Sequence, residues 1–169
     1  KDEPTIEAMN RIGIDFNAVG NHEFDEGKDE LLRMQNGGNH PTDLYSGLGL
    51  DIDKRADKEF AGAKFKYLAA NVVETATEST IFPAVGLKSF LGNKVAFIGM
   101  TLEATPTIVS PSGVAGLEFR DEANTVNALT PTLQAQGIKS VVVLIHEGGV
   151  DTTSNINDCT GISGPIVDI

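Results

Sequence analysis

The run of five consecutive apolar residues from Val141 to Ile145 constrains the fold of this chain more than any other segment. A strand with apolar side chains on both faces is typical of a sheet that other elements cover on both sides. Along the rest of the chain, apolar strand segments mostly alternate with segments of helical periodicity, and one hairpin is inserted. This alternation predicts an α/β architecture in which helices cover the sheet.

Three segments have the apolar spacing of helices. They are PTIEAMNRIG (residues 4–13), KDELLRMQN (28–36) and FRDEANTVNALTPTLQAQG (119–137). Pro4 lies in the first turn of the first segment and Gly13 ends it, as is typical of helix boundaries. Pro131 predicts a kink or a break in the third helix. The tail TGISGPIVDI (160–169) is predicted to begin another helix.

Strands are predicted in the apolar segments between these helices. They are IDFNAV (14–19), KFKYLAANVV (64–73) and IKSVVVLIHEGG (138–149), with a hairpin over VGLKSFLGNKVAFIGMTLE (85–103) that turns at Gly92-Asn93. Residues 40–64 are polar and irregular, and DIDKRADKEFAGA (51–63) within them is predicted to form a surface helical turn.

The charge of the chain limits what it can bind. With 13 basic and 24 acidic residues it carries a formal charge of −11. The absence of a Lys/Arg cluster argues against a broad nucleic-acid-binding face, and the acidity disfavours anionic membranes. An anionic substrate stays compatible with this charge if metal ions supply local positive charge. The single cysteine, Cys159, cannot form a disulfide within the chain.

Two loops that contain histidine directly follow apolar strands. Asn21 and His22 follow FNAV, and His146 follows VVVLI. If these strands are parallel neighbours, their carboxyl ends meet at one edge of the sheet and the loops converge. A neutral imidazole at His146 and the amide oxygen of Asn21 form the mixed N/O donor set that suits Zn, Mn or Fe. His22 would then face the substrate, and Asp25 lies three residues further on.

Asp25 is close enough in sequence to orient the imidazole of His22. On a tight turn its carboxylate can accept a hydrogen bond from one ring nitrogen, which fixes the ring and favours its charged form. A charged imidazole beside a phosphoryl group can stabilise transition-state charge or protonate the leaving oxygen.

Simpler interpretations of the same residues stay open. GNHEFDEG (20–27) can be only a turn, because Asn and Asp cap helices and glycines permit a tight backbone. His146 can be structural, and His40 in its polar loop is predicted to be solvated. Cys159 is predicted to be a small buried or semi-exposed residue and not a nucleophile, because no basic group lies near it in sequence. Asn71 either closes the strand KYLAA or supports a site from that strand end.

Six motifs, taken in order, resemble a known family. They are MNRIGIDFNAV, GNHEFD, YLAANVV, VAFIGMTLEATP, VVVLIHEGG and GISGPIVDI. Together they resemble the catalytic domain of bacterial 5′-nucleotidases in the calcineurin-like metallophosphoesterase superfamily, which includes UDP-sugar hydrolases and 2′,3′-cyclic-nucleotide 2′-phosphodiesterases. The resemblance covers nearly the whole chain, and GNHEFD is its most specific block.

The resemblance implies an α/β/β/α sandwich and a site with two divalent metal ions. It implies that Asn21 and His146 bind the same metal, that His22 is the catalytic histidine and that Asp25 orients it. It also implies hydrolysis of nucleotide phosphate esters by metal-activated water, and a secreted or cell-envelope location.

The sequence lacks several blocks of the family pattern. The earlier DxH block, the GD block with its bridging aspartate, the later GHxH block and the C-terminal nucleoside-binding domain do not occur in it. Residues 1–169 are therefore predicted to be the central part of one catalytic domain, inactive alone and unable to hold both metals. The alternatives are a cyclic-nucleotide phosphodiesterase or sulfur-ester hydrolase of the same superfamily, or a non-catalytic ligand-binding α/β domain.

Overall fold

A computed structural model describes residues 2–47, 59–152 and 161–169. The α-helices are α1 (Glu3–Ile12), α2 (Lys28–Asn36) and α3 (Glu122–Ala135). The strands are β1 (Phe16–Ala18), β2 (Lys66–Leu68), β3 (Val72–Glu74), β4 (Val85–Phe90), β5 (Asn93–Met100), β6 (Leu117–Phe119), β7 (Ser140–Ile145), β8 (Val150–Asp151) and β9 (Ile162–Ser163). Short 3₁₀ helices span His22–Phe24, Thr105–Thr107 and Pro165–Val167.

The strands pair both in parallel and antiparallel. β1 pairs in parallel with β2, and β5 pairs in parallel with β7. β4 and β5 form the predicted hairpin, and antiparallel pairing also joins β3 to β6 and β8 to β9. The hairpin turns at Leu91 and Gly92, one residue earlier than predicted. Both residues have positive φ, 49° and 85°, as a two-residue type I′ turn requires.

Strand β5 lies between two packing layers. On one face, Ala96, Ile98 and Met100 form an apolar cluster with Leu133 of α3. On the other face, the rings of Phe97 and Phe16 have centroids 5.1 Å apart. Gly99 meets β2 on that same face, where an added Cβ would lie 2.4 Å from the side chain of Leu68. The β1–β2 pair therefore packs directly against β5.

The far face of the β1–β2 pair contacts the two N-terminal helices. Tyr67 of β2 belongs to a second apolar cluster, which also contains Ile6 of α1 and Leu31 and Met34 of α2. The order of layers is thus helix, sheet, sheet, helix. The predicted α/β fold class and its sandwich of two helical and two sheet layers are confirmed.

Two strand predictions need correction. KFKYLAANVV is not one strand: after Leu68 the chain changes partners, because Ala70 N–H donates to the carbonyl of Gly99 and Val72 then pairs with Phe119. Burial of β7 on both faces is also wrong, since Val142 is 40% exposed. Within the described residues β7 pairs with β5 alone, which leaves it at the edge of its sheet.

Two helix predictions also need correction. α3 begins at Glu122 rather than Phe119, and it continues through Pro131 to Ala135 without a break. Leu129 and Leu133, on either side of the proline, both pack on the β5 cluster, and this packing offsets the one backbone hydrogen bond that proline cannot donate. The tail forms β9 and a single 3₁₀ turn instead of an α-helix.

Other predicted features fall wholly or partly outside the described residues. Most of the predicted helical turn over residues 51–63 lies there, and so does Cys159. Across the described ranges, no helix combines the length and apolar character needed to cross a membrane.

Candidate active site

The sheets bring the two histidine-containing loops to the same edge. β1 packs against β5, and β5 pairs in parallel with β7. The chain leaves β1 through buried Val19 and Gly20 and enters the 3₁₀ turn that starts at His22. It leaves β7 at His146, whose N–H donates to the carbonyl of Met100 at the end of β5. The parallel relation of these strands therefore sets where the loops meet.

Asn21 and His146 are in direct contact although 125 positions separate them. The Nε2 atom of His146 lies 2.8 Å from the Oδ1 atom of Asn21. Asn21 is only 8% exposed, whereas His146 is exposed, so the pair is reached from solvent on the imidazole side. The predicted convergence of the two loops is confirmed, and the role of the two side chains as metal ligands stays a prediction.

Gly20 leaves room for this contact. A Cβ at position 20 would lie 3.3 Å from the imidazole ring of His146 and 2.8 Å from a carboxylate oxygen of Glu23. Glu23 Oε2 accepts the backbone N–H of Gly20 at 2.8 Å and so closes the loop on itself. The sequence reasoning gave Glu23 no role, because a glutamate in a turn carries no signal for a hydrogen bond to one particular backbone N–H.

The Asn21–His146 pair offers donor atoms of the types that bind divalent metals. Imidazole nitrogen and amide oxygen are donors that divalent first-row metals accept. The 2.8 Å between the two atoms is a hydrogen-bond distance, whereas two ligands each about 2.1 Å from a tetrahedral ion lie about 3.4 Å apart. Because an amide oxygen only accepts hydrogen bonds, Nε2 carries the proton here, and a metal would replace that proton.

His22 and Asp25 form the second predicted pair. The 3₁₀ turn brings His22 Nδ1 within 2.8 Å of Asp25 Oδ2, with both side chains largely in solvent, at 81% and 52% exposure. The hydrogen bond that the His22 ring donates to Asp25 raises the pKa of His22, and the negative charges of Asp25 and Glu23 raise it further. The predicted orientation of His22 by Asp25 is thus present, and catalysis by His22 stays a prediction.

A cavity of about 340 Å³ opens beside these two residues. It lies between α1 and α2, and its lining includes His22 and Asp25 together with acidic side chains at Asp2, Glu26 and Glu30. An anionic phosphate would be repelled here by the carboxylates. The cavity itself is therefore not an anion site, although the imidazole of His22 lies in its lining.

A group of three carboxylates lies at the start of α3. Ligand oxygens of Glu103, Asp121 and Glu122 are within 4.8 Å of one another. Two of these side chains already have backbone partners: Glu122 accepts the N–H of Glu103, and Asp121 accepts the N–H of Asn124. The Asp121 contact caps α3 and the Glu122 contact ties the helix to the preceding loop, so the group is explained without a ligand.

Comparison with known proteins gives a consistent set of relatives. No protein-family model matches the chain. It is 37% identical over 98% of its length to Endonuclease YhcR of Bacillus subtilis, covering 12% of that protein. It is 30% identical over 90% of its length to Cell wall protein Lmo0130 of Listeria monocytogenes, covering 19%. It is 27% identical over 87% of its length to a 5′-nucleotidase of Vibrio cholerae, covering 22%.

Solved structures with the same fold include two phosphoesterase-type proteins. A 5′-nucleotidase precursor from Thermus thermophilus superposes with a TM-score of 0.61 and 24% identity, over 86% of this chain and 24% of that one. The calcineurin-like phosphoesterase YfkN from Bacillus subtilis superposes with a TM-score of 0.62 and 23% identity, over 90% of this chain and 40% of that one.

These likenesses confirm the resemblance on which the site assignment was based. The chain is a homologue of 5′-nucleotidases, and its fold is that of the calcineurin-like metallophosphoesterases. It spans between 12% and 22% of the length of the three relatives described above.

Proposed function

We propose that this chain, as a 5′-nucleotidase homologue with the calcineurin-like phosphoesterase fold, forms part of the active site of a divalent-metal-dependent phosphohydrolase acting on nucleotides. The observation that carries the proposal is the contact between Asn21 and His146, whose side-chain atoms are 2.8 Å apart. The hydrogen-bonded His22–Asp25 pair lies in the same loop as Asn21, at the carboxyl end of β1.

In this proposal Asn21 and His146 hold one of two divalent ions, of the zinc, manganese or iron type. When bound, such ions supply an activated water nucleophile and positive charge for phosphate-ester hydrolysis. Asn21 is held by its burial, while exposed His146 faces the solvent from which the substrate arrives. Residues 1–169 thereby act as the central part of one catalytic domain.

His22 acts on the substrate rather than on the metal. Asp25 holds the imidazole through Nδ1, which leaves Nε2 on the opposite side of the ring as the atom that contacts a phosphoryl or leaving-group oxygen. The charged imidazole donates a hydrogen bond to that oxygen as negative charge develops there, or transfers its proton to it. The raised pKa of His22 keeps this proton available to higher pH.

The charge of the chain favours small substrates over polynucleotides. The relative YhcR is named an endonuclease, and this chain aligns with 12% of its length. Continuous binding of DNA needs a series of basic side chains along the phosphate backbone, and a chain of net charge −11 without a Lys/Arg cluster does not offer one. We therefore propose nucleoside monophosphates as the preferred substrate class. Cyclic nucleotides, sulfur esters and DNA are assayed beside them as the competing substrates.

The test is hydrolysis of 5′-AMP by the full-length protein with Mn²⁺. We expect phosphate release, and we expect Asn21→Ala and His146→Ala each to lose bound metal and activity together. His40→Ala is the matched control, because among the described residues the His40 ring hydrogen-bonds to nearby Thr42, away from the Asn21–His146 pair, and the variant should keep full activity. Unchanged metal content and activity in both the Asn21 and His146 variants would refute the assignment.

The pair Asn21–His146 by itself should bind metal weakly. It offers two neutral donors and no anionic ligand, whereas tight divalent sites usually include carboxylate or thiolate groups. We expect the purified 169-residue chain to contain no stoichiometric pair of transition metals and to be inactive. Elemental analysis with two tightly held ions per chain would show that other residues of this chain complete the site.

Replacement of Asp25 should change the pH dependence of activity. Asp25→Asn keeps the size of the side chain but removes the charge and weakens the hydrogen bond that raise the pKa of His22. Activity requires the charged imidazole, which is lost as the pH rises through the pKa of His22. Because Asp25→Asn lowers this pKa, the alkaline limb of kcat/KM should move to lower pH, with metal content unchanged. An alkaline limb that does not move would show that Asp25 does not tune His22.

We also propose that the full-length protein lies in the cell envelope or is secreted. The relatives include a protein named a cell wall protein and a 5′-nucleotidase named a precursor. Fractionation of the native organism tests this proposal, and recovery of the protein from the cytoplasm alone would refute it.

A further inference from the structure

A buried polar network connects the two sheets behind the candidate site. The side chain of Asn71 is fully buried, and its Oδ1 accepts the N–H of Thr101 at 2.9 Å. Its Nδ2 donates to the carbonyls of Thr101 and Arg120, at 2.6 and 2.8 Å. Thr101, also fully buried, donates its hydroxyl to the carbonyl of Val19 at 2.8 Å.

This network touches both strand ends that lead to the metal-binding pair. Val19 is two residues before Asn21. Thr101 directly follows Met100, whose carbonyl accepts the N–H of His146. One side of the network therefore fixes the backbone that leads to Asn21, and the other fixes the backbone against which His146 is held.

The network fits a positioning role better than a general contribution to stability. In the described residues every buried side-chain nitrogen and oxygen has a hydrogen-bond partner, so this network is fully satisfied. Satisfied buried networks hold one arrangement of the chain, whereas an apolar pair of the same volume would fill the space without fixing a register. A threonine hydroxyl aimed at one particular carbonyl of the neighbouring sheet specifies the distance between the sheets.

We propose that Asn71 and Thr101 are positioning residues that set the spacing between Asn21 and His146. Neither touches the substrate or the ion. They act by holding the ends of β1 and β5 in register, so that the amide oxygen and the imidazole nitrogen stay within ligand distance. This inference rests on the proposed function for its metal, but the hydrogen bond between Asn21 and His146 tests it without any metal.

The test compares Thr101→Val, Thr101→Ser and Thr105→Val in the full-length protein. Thr101→Val keeps the shape but removes the donor to Val19, and Thr101→Ser keeps that donor. Thr105→Val is the matched control, because Thr105 is equally buried but its hydroxyl donates within its own turn, to Leu102. Two quantities are measured: the imidazole Nε2–H signal of His146 by NMR without metal, and the Kd for Mn²⁺.

We expect Thr101→Val to lose the His146 Nε2–H signal and to weaken Mn²⁺ binding by about 10–100-fold, the usual effect of removing a residue that orients a ligand. Thr101→Ser and Thr105→Val should retain the Nε2–H signal and a Kd for Mn²⁺ within about twofold of the parent, because both variants keep the hydroxyl that donates to Val19. A folded Thr101→Val protein that retains the Nε2–H signal, or a Thr105→Val protein with the same losses, would overturn the proposal.

Two further outcomes are also decisive. If Thr101→Val does not fold, Thr101→Ala removes the same donor without placing a methyl group against the Val19 carbonyl, and the same expectations apply to it. If the parent protein binds no Mn²⁺ but Thr101→Val still loses the Nε2–H signal, the positioning role stands and the proposed metal-dependent function fails.

Discussion

Replacement of His22 by alanine is expected to lower kcat/KM for nucleotide hydrolysis by about 10²–10⁴-fold, the usual contribution of a positioned acid–base group. The imidazole is 81% exposed and is held by Asp25 rather than by the fold, so its removal leaves the surrounding structure unchanged. Asn21 and His146 bond to each other and not to the His22 ring, so bound metal should be retained.

This combination separates catalysis from metal binding. His22→Ala should lose activity and keep its metal, whereas His146→Ala should lose both. Steady-state kinetics and metal analysis on the same preparations give both readouts. A His22→Ala enzyme within tenfold of the parent would show that His22 does not act on the substrate, and loss of metal from it would place His22 among the ligands.

Replacement of Arg33 by methionine is expected to cost about 3–5 kcal/mol of stability, the usual effect of removing one partner from a buried ionic group. The guanidinium of Arg33 bonds to Glu30 through two nitrogens and to Glu3 through one of them. The side chains of Arg33, Glu3 and Glu30 are only 9%, 4% and 11% exposed. The substitution removes the cation that the two buried carboxylates share.

Arg120→Met is the matched control for Arg33→Met. Arg120 also contacts two glutamates, Glu78 and Glu118, but all three side chains are substantially exposed. Surface ion pairs contribute about 0–1 kcal/mol, so this control should change the free energy of unfolding very little. Urea denaturation of both variants measures the difference, and equal losses would show that burial of the Arg33 group does not matter.

The effect of Arg33→Met should also depend on pH. The hydrogen bonds from Arg33 hold the pKa of Glu30 below its ordinary value. A depressed carboxylate pKa gives stability that is present above the unfolded-state pKa, about 4.3, and lost as pH falls below it. The difference between parent and Arg33→Met should therefore shrink as the pH falls below about 4. A difference that does not change with pH would contradict an ionic origin.

The sequence was informative where local patterns decide the structure. Helix periodicity and flanking glycines predicted α1 and α2 nearly to the residue, and Gly92 predicted the hairpin. The site was also predicted in outline, because side chains that follow parallel strands meet at the carboxyl edge wherever those strands are neighbours.

The sequence was less informative where distant partners decide the structure. KFKYLAANVV has the local pattern of one strand, and only the positions of Gly99 and Phe119 show why it divides into two. Pro131 is tolerated because Leu129 and Leu133 pack on β5, which no local pattern contains. The hydrogen bond from Thr101 to Val19 spans 82 positions, so nothing near either residue indicates it.

The central claim is that Asn21 and His146 bind the same divalent ion, and anomalous diffraction from Zn²⁺-loaded crystals of the full-length protein tests it most directly. We predict a zinc peak about 2.0–2.2 Å from both Asn21 Oδ1 and His146 Nε2, the usual range for oxygen and imidazole ligands. Zinc bound elsewhere, with the hydrogen bond between Asn21 and His146 intact, would contradict the claim.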